Sequence, residues 1–85
     1  MFIVKYPEVM INLNHIKEIR TESEEGDYAT LYVVSPDGTR TDFCTEDADL
    51  VYNSLAHIAV SISANKQLWR WDSYAEELTD SDPLR

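Results

Sequence analysis

The sequence predicts an α+β domain, a small antiparallel β-meander of about four strands packed against one C-terminal helix. Three observations carry that prediction: β-branched and aromatic runs in the first half, a Ser35-Pro36-Asp37-Gly38 turn between two of them, and helically spaced apolar residues from Val51 to Ile62.

In chain order, FIVKY (residues 2–6) suits a strand that Pro7 ends or confines to an edge. Val9, Ile11 and Leu13 alternate with Met10, Asn12 and Asn14, the period of a strand with one buried face. Ile16 and Ile19 then stand three apart, so a turn or bulge is expected around Asn14 and His15 before the chain continues through IKEIRTES. SEEGD (23–27) reads as a loop and YATLYVV (28–34) as a strand. In the SPDG turn, Pro36 fixes φ at the first central position and Gly38 accepts the positive φ that other residues resist. TRTDFC completes a hairpin, with Thr39, Thr41 and Phe43 on one side and Arg40, Asp42 and Cys44 on the other.

Thr45 is the expected N-cap of the helix, with Glu46, Asp47 and Asp49 near its positive end. The stripe Val51, Leu55, Ile58, Ile62 extends that helix to about residue 64. A rival reading makes AHIAVSIS a strand paired with LWRW across ANKQ, a connection without the glycine that tight hairpins favour. The resulting boundaries are one domain over residues 1–71 and an acidic, flexible C-terminal tail over 72–85.

A chain of 85 residues supports a single core, and 44% hydrophobic residues with nine aromatics mark it as folded rather than disordered. Cys44 is the only cysteine, which excludes an intramolecular disulfide and favours a reducing compartment. The start, MFIVKYPEV, lacks the apolar run and small-residue site of a secretory signal, and no stretch approaches the ~20 apolar residues of a membrane span. A cytoplasmic location without membrane association is expected.

The net charge of −9 is blocked along the chain. Residues 22–49 carry nine acids against Arg40 alone, whereas residues 50–71 carry Lys66 and Arg70 and no acid. A field of this sign repels nucleic-acid phosphates, so direct nucleic-acid binding is not expected and a protein partner with a basic surface is. The acidic block, with Asp42, Glu46, Asp47 and Asp49 as its candidate face, admits three readings: solvated surface, a docking face for a basic partner, or a mimic of nucleic-acid phosphates.

Parts for catalysis are scattered. His15, Cys44 and His57 lie 29 and 13 residues apart, without zinc-site spacing, nucleophile elbow or phosphate loop. EDAD (46–49) lacks the spacing of a calcium loop. No enzymatic activity, metal or cofactor is expected. Cys44 reads as a small apolar side chain with nothing basic beside it in sequence, His57 as a surface or boundary residue, and His15 as part of a turn.

KQLWRWDSYAEE (66–77) holds the other candidate site. If the helix ran on to Trp71, Trp69, seven residues after Ile62, would continue its stripe as a core or core-edge aromatic, whereas Trp71 and Tyr74 do not fit that seam. Tryptophan, tyrosine and arginine are the residues most enriched at interface hot spots, so Trp69, Arg70, Trp71 and Tyr74 form the expected partner-binding group. The function expected from sequence is that of a small acidic intracellular protein-binding module: an adaptor, regulator or inhibitor. The alternatives are a nucleic-acid-mimicking inhibitor of the phage type, and a homo-oligomeric structural protein in which the C-terminal aromatics of one chain pack on the next.

Overall fold

The computed structural model describes residues 1–80, with side chains through Glu76. The chain is α+β, with antiparallel strands packed against a long helix, as the sequence patterns imply. The strands form two three-stranded sheets rather than one meander.

The first strand, β1 (Phe2–Lys5), turns back through Tyr6, Pro7 and Glu8 into β2 (Val9–Asn12), with Ile3 opposite Ile11 and Val4 opposite Met10. The expected break around Asn14 is a 3-10 turn over Leu13–His15, where the Asn12 side chain accepts the Asn14 N–H at 3.0 Å. Next come β3 (Glu18–Ser23), β4 (Tyr28–Val34) and β5 (Arg40–Asp47), an antiparallel meander in that order. The turn between β4 and β5 is as expected: Gly38 has φ 90° and donates its N–H to Ser35 O at 2.8 Å. Asp37 accepts the Thr39 N–H at 2.9 Å, and that bond holds its carboxyl below the usual carboxylate range.

Within β5 the strict alternation fails. Leu31 pairs with Cys44 but Tyr32 pairs with Asp42, so Phe43 is the extra residue of a bulge. The bulge lets Phe43 and Cys44, expected on opposite sides, both be buried. It also prolongs β5 to Asp47, which corrects the helix start. The helix α1 spans Ala48–Ser63, and its N-cap is Asp47, whose carboxylate accepts the Asp49 N–H at 3.1 Å. Thr45 stays in the strand.

On α1 the buried residues are Val51, Ser54 and Ile58, with Leu50 and Leu55 half-buried; Ile62, expected in the stripe, is exposed near the helix end. The helix stops where Asn65 takes a left-handed φ of 59°, and Lys66 N–H closes on Ser61 O at 3.0 Å. The segment beyond Gln67 matches neither sequence reading. Leu68–Arg70 forms β6, which pairs in parallel with β1 rather than with the preceding segment, giving the sheet order β2-β1-β6.

A second helix, α2 (Trp71–Asp80), occupies much of the segment expected to be a flexible tail. Trp71 and Tyr74 reach the core and tie it down; residues 81–85 lie outside the described residues. The core joins Ile3, Ile11, Leu31, Val33, Phe43, Val51, Ile58 and the α2 aromatics. Among the described residues no helix is long and apolar enough to cross a membrane.

Candidate functional site

The WRW segment is where expectation and structure part. Trp69, Trp71 and Tyr74 are only 4%, 5% and 5% exposed, so three of the four residues assigned to a partner surface are core residues. Trp69 points inward from β6, and the backbone then changes from strand to helix at Trp71, so a second tryptophan two residues on also turns inward. Ring centroids lie 6.1 Å apart for Trp69 and Trp71, 5.3 Å for Trp69 and Tyr74, and 6.4 Å for Trp71 and Phe43, the separations of packed aromatic pairs.

Their polar handles are satisfied inside the molecule. The Trp69 indole N–H donates to His57 Nδ1 at 2.8 Å, and the Tyr74 hydroxyl donates to Leu50 O at 2.9 Å. Burial raises the pKa of the Tyr74 phenol. His57 is an exposed residue, but its ring joins this cluster, 4.9 Å from Tyr74. The sequence signal for that role was the requirement of a buried indole N–H for an acceptor. Arg70 alone of the four is exposed, with its guanidinium carbon 5.2 Å from the centre of the Tyr6 ring.

Cys44 is buried beneath the same layer, and burial, aided by Glu46, pushes its thiol up to about 12. Lys5 acts in the opposite direction and is overridden. A thiol so protected is a packing residue.

The four acids expected on one face are divided among three environments. Asp42 projects from the outer side of β5, Glu46 lies 3.5 Å from Lys5, Asp47 caps α1, and Asp49 sits in the first helical turn. Lys5 also bonds Glu8 at 2.8 Å, and that bond raises its pKa against the opposing effect of burial.

A different acidic surface emerges on the outer side of the β3-β4-β5 sheet. Ala29, Leu31 and Val33 point into the core, so Tyr28, Thr30 and Tyr32 point out, flanked across the register by Arg20 and Glu22 from β3 and by Arg40, Asp42, Thr45 and Asp47 from β5. At its centre the Arg40 guanidinium stacks 3.8 Å from the centre of the Tyr32 ring. Its Nη1 lies 2.8 Å from Glu22, and its Nε donates to Asp42 at 2.8 Å. Hydrogen bonds to Asp42 and Glu22 raise the guanidinium pKa above its ordinary value.

Next to this clasp is a shallow depression lined by Glu24, Glu25, Tyr28, Thr30, Asp42 and Thr45. Thr30 Oγ1 donates to Glu24 at 2.9 Å and lies 2.7 Å from Thr45 Oγ1; since Thr30 has one hydroxyl proton, Thr45 donates to Thr30. The depression thus has an ordered hydroxyl floor, an exposed tyrosine and three carboxylates, of which Asp42 is already bonded to Arg40, and none of its lining residues is cationic. Among the described residues no group of three or more His, Cys, Asp or Glu side chains is placed to hold a metal ion. Compared with known proteins, the chain matches no family model, no curated protein and no solved structure.

Proposed function

We propose that the protein is a non-catalytic, intracellular protein-binding module that docks a basic surface of a larger partner on the outer face of the β3-β4-β5 sheet. One observation carries this reading. The Tyr32–Glu22–Asp42 clasp is filled by the chain's own Arg40, while the adjoining depression adds Tyr28 and the carboxylates of Glu24 and Glu25, with no cationic lining residue. Arginine or lysine side chains of a partner fit that composition, since a guanidinium both stacks on an aromatic ring and pairs with carboxylates. The burial of Trp69, Trp71 and Tyr74 moves the proposed contact from the C-terminal aromatics to this face. Phosphate mimicry fits it less well, because Arg20 and Arg40 interrupt the acidic rows and a nucleic-acid backbone carries no cations.

The test is a backbone-amide NMR titration with an arginine-rich peptide. Shifts should concentrate at Glu24, Tyr28, Thr30 and Thr45, weaken with added salt, and be lost in Glu24→Lys, while Tyr28→Ala lowers the affinity. Shifts spread evenly over all the acids, including Asp72 and Glu76, defeat the reading.

A further inference from the structure

We propose that the outer face of the β2-β1-β6 sheet is an interface between two copies of this chain. Because Ile3, Ile11 and Trp69 face the core, strand alternation and register place two rows on the opposite side: Leu68, Phe2 and Asn12, then Arg70, Val4 and Met10. Phe2, Met10 and Leu68 are 41%, 64% and 50% exposed, Tyr6 at the rim is 58% exposed, and Val4 between them is buried. Among the described residues, α1 packs on the β3-β4-β5 sheet, and Trp71 and Tyr74 turn α2 toward the core.

Charge identifies the occupant. In a chain with sixteen acids, none of the six positions on this face is acidic, so here two copies of net charge −9 can approach most closely, leaving their acidic sheets turned to solvent. Arg70 is the only charge on the face. Arg20 and Arg40 both reach carboxylates, whereas among the described residues Arg70 reaches only the Tyr6 ring.

A two-fold axis along β1 resolves that asymmetry. It lays β6 of one copy over β2 of the other, stacks Phe2 on Phe2, and brings Arg70 over Met10, beside Glu8 at the strand turn, whose exposed carboxylate also pairs with Lys5. Aligned packing of two sheet faces at about 10 Å separation is an ordinary way of covering them.

Sedimentation equilibrium of the full chain across a concentration series tests this. A monomer–dimer equilibrium is expected, and it should tighten with added salt, because screening reduces repulsion between two acidic molecules. Phe2→Glu or Leu68→Glu should weaken the dimer on the order of 100-fold by burying an unpaired carboxylate. Arg70→Glu and Glu8→Arg should each weaken it, and the double exchange should restore it in part. Tryptophan fluorescence checks that every variant is folded. A monomer mass throughout the series overturns the proposal, as does a dimer that Phe2→Glu and Leu68→Glu leave intact. Neither result bears on the acidic face, whose binding weakens with salt rather than strengthening.

Discussion

Replacing Trp69 by phenylalanine separates a core aromatic from a docking residue most directly. The change removes the pyrrole part of a ring that is 4% exposed, together with the N–H that His57 accepts at 2.8 Å. Losing roughly 40 Å² of buried apolar surface costs about 1 kcal/mol, the lost hydrogen bond about 1 kcal/mol more, and imperfect collapse of the space left behind adds to both. The expected destabilisation is therefore about 2 to 3 kcal/mol. That is a large share of the ~4 to 13 kcal/mol that a chain of this size commands. Trp71→Phe should cost less, about 1 to 2 kcal/mol, because it removes ring volume only. Urea unfolding followed by far-ultraviolet circular dichroism measures both, with a lower midpoint and an unchanged slope. Iodide should quench neither indole fully in the native protein. A destabilisation below about 0.5 kcal/mol for Trp69→Phe, the range of surface substitutions, refutes the placement of this ring in the core.

Cys44 should be alkylated slowly in the native protein and rapidly in urea, because its thiol is buried and raised to about 12. The folded value lies above the unfolded one, so between about pH 9 and 12 the unfolded chain loses the proton first. Stability should therefore fall with pH across that window, and Cys44→Ala should remove this component; identical slopes for the two proteins argue against it. Asp47→Ala should destabilise the domain by about 1 kcal/mol through loss of the helix cap, with a lower urea midpoint. An unchanged midpoint would place the helix start elsewhere.

Much of the local structure was legible because it depends on neighbouring residues. The β4–β5 hairpin follows from Pro36 and Gly38, the turn at Asn14 from the broken alternation, and the end of α1 from the loss of its apolar spacing. The illegible parts depend on residues distant in sequence. With the helix read to about residue 64, LWRW has only AHIAVSIS as a nearby strand partner, and its actual partner, β1, lies 66 residues earlier. Once that strand forms, the inward direction at Trp69 and the helix start at Trp71 follow, and a segment that read as a surface patch becomes core. The bulge at Phe43 likewise overrides alternation for packing. For the acidic face, composition identified the residue types but not their separation. Glu46 and Asp47 are adjacent in sequence, yet one meets Lys5 and the other caps a helix. The Arg40 clasp needs three strands to bring Tyr32, Glu22 and Asp42 together.

The β1–β6 pair also sets an order of events. β1 is the middle strand of its sheet, so Phe2–Lys5 cannot complete their hydrogen bonding until residues 68–70 exist. Closing a loop of that length costs roughly 4 kcal/mol of chain entropy before any contact rewards it. The meander and α1 involve much shorter closures and are expected to assemble first, as a half-built domain with Leu31, Val33 and Phe43 still uncovered. The late closure then has two effects at once: β6 secures β1, and β6 with the start of α2 brings in the tryptophans that seal the core.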